Sequence, residues 1–132
     1  MSQSPDKQPY SYLENLECWQ QAKQLAVDMY QFSTDGNLNH DYALRDQLRK
    51  SAVAIATQIA SGKERSSASE FIEFLGAAKS SAAELRTQLV ISREIGYMSE
   101  GDFLDFEDKI NRICAMLGGL IRAIRKRMES QK

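Results

Sequence analysis

Apolar residues recur along this chain at steps of three and four, in four separate stretches. Each such stretch predicts an amphipathic helix. In the first, Leu16, Trp19, Ala22, Leu25/Ala26, Met29 and Phe32 form one stripe and predict a helix over about 16–32. Ser11 with Glu14, or Asn15 alone, suits its N-terminal cap. Residues 33–40 contain Asp35-Gly36-Asn37 and read as a loop. Leu44, Leu48, Ala52, Ile55 and Ile59 predict a second helix over about 41–61. Gly62 then falls just past a helix end, where a positive φ costs glycine little. Lys63 and Arg65 follow, where they complement the negative end of the helix.

The third helix, about 68–95, opens with the capping box Ser67-Ala-Ser-Glu70. It carries Phe71, Phe74/Leu75, Ala78, Ala82, Leu85 and Leu89, and Gly96 stops it. The fourth, about 100–128, starts near Ser99. Phe103, Phe106, Ile110, Ile113, Leu117, Leu120 and Ile124 alternate steps of three and four without a break, which is the seven-residue seam of a bundle. No segment alternates strictly in the manner of a strand. Connections this short favour antiparallel neighbours. The expected fold is therefore all-α, an antiparallel up-down-up-down four-helix bundle over 12–128. Residues 1–11 read as a flexible N-terminal segment and 129–132 as a C-terminal tail. The hairpin from Arg45 to Leu89 is rich in Ala and Ser, which lets two helix backbones approach closely.

Composition narrows the class. A chain of 132 residues is one domain, able to bury roughly two-thirds of its unfolded surface. Its 42% apolar and 27% charged residues are globular rather than disordered proportions. No apolar run approaches the ~18 residues of a membrane helix, and residues 1–9 are polar rather than signal-like. The expectation is a cytoplasmic protein without a membrane partner. Cys18 and Cys114 each sit in an apolar helical stretch and read as reduced thiols rather than a disulfide. A net charge of −1 is low for a strong nucleic-acid binder, though local clustering can hide within the total.

Catalytic chemistry is scarce. His40 is the only histidine and falls in the predicted loop, so a ferritin-like di-iron site lacks its ligands. The same shortage removes Ser-His-Asp, Cys-His and zinc signatures, and no Gly-rich phosphate loop precedes a helix. The chain reads as a non-enzyme without cofactor or metal. Asp102, Asp105, Glu107 and Asp108 fit a hydrated helix face, with a magnesium patch as the competing reading. Glu84, beside Ser80 and Ser81, suits a partly buried carboxylate held by a serine, Thr57, Gln58 or Arg49, and a ligand contact stays open. Arg49, Gln58, Ser81 and Glu84 form the candidate polar set of the bundle interior. Gly118-Gly119 weakens its helix by about 1 kcal/mol per glycine, which suggests close backbone packing within the bundle or against another subunit, with direct approach to a nucleic-acid phosphate as the second reading. Arg122, Arg125, Lys126 and Arg127 place four positive charges in six residues. They are the candidate RNA or DNA backbone contact, with Lys50, Lys63 and Arg65 as contributors, although basic residues near a helix C-terminus are also commonplace. Trp19 and Tyr30 read as packing residues.

Leu16-Glu-Cys-Trp19-Gln-Gln-Ala22 resembles the Leu-Glu-x-Trp-x-x-Ala opening of the bacterial 23S ribosomal RNA intervening-sequence proteins. The resemblance continues through Gln47-Leu48-Arg49, Ile55 to Gly62, Arg65, Glu70-Phe71, Phe74-Leu75, Ser81, Glu84-Leu85, Gln88-Leu89, Gly96-Tyr97, Met116-Leu117 and Gly119-Leu120. It covers about Tyr12 to Arg125. At three positions the chain departs: the usual Ser-Ile-x-x-Asn-Ile-Ala-Glu-Gly becomes Ala54-Ile-Ala-Thr-Gln58-Ile-Ala-Ser61-Gly62, so that Ala54, Gln58 and Ser61 replace the serine, asparagine and glutamate on which a polar network or ligand role there would rest. The resemblance implies an antiparallel bundle assembled as a homopentameric ring. A related branch, the accessory variability determinant of diversity-generating retroelements, implies a reverse transcriptase partner and a strongly basic nucleic-acid-binding surface.

Two functions follow as expectations. The first is a non-enzymatic oligomeric binding protein associating with RNA, DNA or a nucleic-acid enzyme such as a reverse transcriptase. The second is a structural homo-oligomer whose partners are proteins only.

Overall fold

The computed structural model describes residues 16–131. Five helices follow one another: α1 (Glu17–Phe32), α2 (Gly36–His40), α3 (Tyr42–Lys63), α4 (Ala68–Glu94) and α5 (Glu100–Ser130). No strand occurs among the described residues. α1 packs on α3 and α5, and α4 packs on the same two, so the four long helices surround one core. The predicted stripes line it. Leu25, Met29, Leu48, Ile55, Ile59, Leu75, Leu85, Leu89, Ile110, Ile113 and Leu117 are almost wholly buried. Small residues between them, Ala22, Ala52, Ala78 and Ala82, let the helices close on one another. The Phe32 and Phe106 rings meet edge-on at 5.4 Å, joining α1 to α5.

The helix ends carry the expected chemistry. Ser67 Oγ accepts from the Glu70 amide at 3.1 Å and Ser99 Oγ from the Asp102 amide at 3.0 Å. Asp41 Oδ1 accepts from the Leu44 amide at the start of α3. α4 ends in a Schellman motif: Gly96 adopts φ +86°, its amide bonds to Arg93 O, and the Tyr97 amide reaches back to Ser92 O at 2.9 Å.

Some expectations change. The 33–40 loop contains α2, a short helix entered through Gly36 at φ +74°, and its Leu38 is buried in the core. Gly62 has no positive φ; it lies inside α3 and is buried. Its reason is space, because a Cβ there would come 2.6 Å from Phe74 Cβ and 2.9 Å from Phe71 Cδ1. The α5 seam is buried only to Leu117, while Leu120 and Ile124 are half-buried. Gly118 and Gly119 have no close backbone neighbour, and an added Cβ would meet only the Arg122 guanidinium, at 3.5 and 3.9 Å. The cap candidates Ser11, Glu14 and Asn15, and the expected flexible segment 1–11, lie outside the described residues; the residue at the cap position of α1 is Leu16.

Candidate functional site

The end of α3, the start of α4 and the last turns of α5 meet around one recess of about 280 Å³. Leu16, Phe71, Leu120 and Ile124 give it apolar walls, and Lys63 and Arg127 both line it. The fold thus joins residues 64 positions apart in sequence, and it does so because α3 and α5 deliver their C-terminal ends to the same place. Those ends carry partial negative charge, which favours cations there. The Lys63 ammonium stands 5.7 Å from the Phe71 ring centroid and the Arg65 guanidinium 4.6 Å from that of Phe74. Each ring attracts its cation, and the Lys63–Phe71 pair lies in the wall of the recess. Arg122, Arg125 and Lys126 are exposed and share one face of α5 by their spacing of three and four. Glu64, Glu70 and Glu129 are exposed at the same end, and Glu129 shares the Arg122, Arg125 and Lys126 face of α5 by its spacing of three and four from the last two.

Lys50 lies elsewhere. It borders a groove of about 690 Å³ between α3 and α4, together with Ser51, Gln58, Ser81, Glu84 and Gln88. Here Gln88 Nε2 donates to Gln47 Oε1 at 3.3 Å, while Gln88 Oε1 is buried without a partner. Ser51 and Ser81 are buried, and Gln58 is half-buried. Glu84 is not the buried, register-fixing carboxylate expected from sequence: it is exposed, because its side of α4 looks out over the groove. Thr57 turns its hydroxyl to the Ala54 carbonyl of its own helix.

Arg49 also has a different partner from those anticipated. Its Nε donates to Ser33 Oγ at 2.7 Å, and its guanidinium stacks 4.6 Å from the Tyr30 ring centroid. Ser33 is fully buried and its Oγ–H donates a hydrogen bond to Met29 O at 2.8 Å, so one hydroxyl ties the end of α1 to α3. Sequence reasoning missed Ser33 because a serine in a predicted loop looks solvated. Tyr30, read there as packing, is 47% exposed and serves as a platform for Arg49. Two further ties join distant elements: Tyr97 Oη donates to Asp41 Oδ2 at 3.1 Å, and Lys109 Nζ to Asp28 Oδ2 at 2.9 Å.

The remaining reactive groups are dispersed. No group of three His, Cys, Asp or Glu side chains with metal-holding geometry occurs among the described residues. Asp108 is engaged by Arg112 at 2.8 Å. Cys18 and Cys114 are free thiols, and burial pushes the Cys18 thiol up to about 11, against weaker backbone hydrogen bonds that lower it. No helix of the described residues is long and apolar enough to cross a membrane.

Residues 14–119 match the model of the 23S rRNA-intervening sequence proteins. The chain belongs to that family. A crystal structure of a protein of unknown function from the S23 ribosomal protein family, from Bacteroides thetaiotaomicron VPI-5482, superposes with a TM-score of 0.72 at 20% identity. The match covers 79% of this chain and 97% of the other. At that identity the likeness is one of fold. Comparison with curated proteins gives no match. The family match ends at Gly119, so the basic turns Arg122 to Arg127 lie beyond the matched residues.

Proposed function

We propose that this member of the 23S rRNA-intervening sequence protein family is a non-enzymatic, homo-oligomeric binding protein that associates with RNA or DNA, or with an enzyme acting on them such as a reverse transcriptase. The observation that carries the reading is the convergence of Lys63 and Arg127 on one recess, with Arg122, Arg125 and Lys126 exposed on the other face of the same turns of α5. Phosphate recognition needs cations held at fixed positions on one surface, and aromatic rings beneath Lys63 and Arg65 restrict two of them. An oligomer repeats a modest patch on every subunit, which raises avidity for a polyanion although each chain has a net charge of −1.

The architecture that presents this surface is an antiparallel up-down-up-down bundle, assembled as a homopentameric ring. Support for the alternation comes from pairs between neighbouring helices. Gln47 near the start of α3 meets Gln88 near the end of α4, and Gly62 at the end of α3 faces Phe71 and Phe74 near the start of α4. Arg93 at the end of α4 likewise reaches Glu100 at the start of α5.

The test is filter binding of structured RNA and of DNA across a salt series, with wild type and an Arg122→Gln/Arg125→Gln/Lys126→Gln variant. Phosphate contacts predict affinity that falls steeply with salt and a shallower slope for the variant. Absence of binding at low ionic strength overturns this reading. The competing one, a homo-oligomer with protein partners only, is favoured by the exposed apolar groove between α1 and α3.

A further inference from the structure

The core is closed at one end of the bundle and open at the other. At the α2 end, Leu38 and Met98 are buried beside the helix ends. At the opposite end the fully buried part of the α5 seam stops at Leu117, and no helix crosses that end among the described residues. Leu16, Phe71, Leu120, Ile124 and Met128 are left half-buried there, and all five line the recess of about 280 Å³. Apolar walls around a concave site with a few polar groups are the usual make-up of a small-molecule pocket.

The charged groups of the recess have one sign. Lys63 and Arg127 line it, and no acidic side chain does among the described residues. The Lys63 ammonium lies 5.7 Å from the Phe71 ring centroid, so a cation borders the apolar wall directly. An ammonium carries three donors and can meet an anion whatever else it bonds. The helix ends offset one another, because α1 and α4 begin here while α3 and α5 finish here. Lys63 and Arg127 therefore set the sign of the site.

Size and chemistry together narrow the ligand. Pockets for drug-sized molecules span about 300–1,000 Å³, so this recess admits one short chain or one ring and excludes a two-tailed lipid. A bare phosphate would meet the cations and leave the apolar walls wet. A neutral chain would cover the walls and leave the cations without an anion. A short chain with an anionic head uses both.

We propose that the recess binds a single-chain fatty carboxylate of medium length, such as octanoate or decanoate. Its tail lies against Phe71, Leu120 and Ile124, and its head lies between Arg127 and Lys63. The site goes beyond the proposed nucleic-acid binding and does not depend on it.

The experiment titrates the full chain by calorimetry with hexanoate, octanoate and decanoate below their micelle-forming concentrations. 1-Octanol serves as the same tail without the charge. Each methylene that enters the recess should tighten binding by about fourfold, until the chain outgrows it. Octanoate should bind several-fold more tightly than 1-octanol, and added salt should shrink that gap. Arg127→Gln should weaken octanoate and leave 1-octanol unchanged. Ala123 is exposed on the wall of the recess, so Ala123→Phe should keep the helix content by circular dichroism and abolish binding of every chain. Affinity that does not rise from hexanoate to octanoate overturns the proposal, as does equal affinity for octanoate and 1-octanol. Binding that survives Ala123→Phe unchanged also overturns it. Absence of saturable binding by octanoate and decanoate does the same and leaves the recess to a protein segment. No RNA or DNA enters these titrations, so their failure and a failure of filter binding are told apart.

Discussion

Gly62 of α3 and Phe74 of α4 are so close that the smallest side chain on the glycine would lie 2.6 Å from the phenylalanine Cβ. The contact sets how near the two helices come at the end that carries the cationic recess. A Gly62→Ala substitution cannot be absorbed by a rotamer change, because the clash involves the first side-chain atom of Phe74. The helices must part, and Phe71 and Phe74 move with Lys63 and Arg65 above them. The expected cost is about 1–3 kcal/mol in urea unfolding, the usual range for overpacking a tight site. A variant as stable as wild type would show that α3 and α4 separate freely here.

The glycine pair in α5 should behave in the opposite way. An added methyl at Gly118 or Gly119 meets only the far end of the Arg122 side chain, at 3.5 or 3.9 Å. Alanine relieves the entropic cost of glycine within a helix, so each Gly→Ala change should stabilise the subunit by up to about 1 kcal/mol. Chemical denaturation of the two single variants and the double variant measures this directly. Destabilisation instead would place a partner surface against these two positions.

This contrast shows where the sequence was legible. Periodicity specified every long helix, because burial of one stripe is a local property of spacing, and the caps at Ser67, Ser99 and Gly96 were readable for the same reason. What decided each glycine was the neighbouring helix. Nothing in the local sequence tells Gly62, which is crowded by Phe74, from Gly118, which has room. Glu84 failed similarly: its small neighbours suggested a buried face, but the α3/α4 groove opens there and leaves it exposed. Ser33 failed in the other direction, since its burial depends on Arg49 arriving from α3. Of the candidate site, the α5 cluster was visible as a charge run, whereas the meeting of its Arg127 with Lys63 needed the ends of α3 and α5 to coincide. The recess between α1 and α3 left no sequence signal, because it is made by two helices jointly.

The tie from Tyr97 to Asp41 should make one end of the molecule sensitive to alkali. The hydrogen bond to Asp41 raises the Tyr97 phenol above its ordinary value, with burial and the negative charge of Asp41 acting the same way. A raised folded value means that the stability from this group is present below the ordinary tyrosine range, near 10, and is lost as pH rises through the folded value. Tyr97→Phe should remove that dependence and lower stability at neutral pH. Hydrogen exchange at the Leu44 and Arg45 amides, which Asp41 accepts, reports the local loosening.

The bridge from Lys109 to Asp28 predicts the opposite pH window. Burial pushes the Asp28 carboxyl up, but the hydrogen bonds from Lys109 and Gln24, together with the ammonium charge, outweigh it and hold the group below its ordinary value. A lowered folded value means that the contribution is fully present above the ordinary aspartate range, near 4, and disappears as pH falls through the folded value. Lys109 is 43% exposed along its side chain, so the pair belongs with surface bridges worth about 0.2–1 kcal/mol. Asp28→Asn should therefore cost a fraction of a kcal/mol at pH 7 in moderate salt. At pH 2–3 the variant and wild type should converge, because the wild-type carboxyl is then protonated as well. Urea midpoints at the two pH values give the comparison, and added salt should shrink the neutral-pH difference. A difference that persists unchanged at pH 2 would show that Asp28 acts through packing between α1 and α5 rather than through its charge.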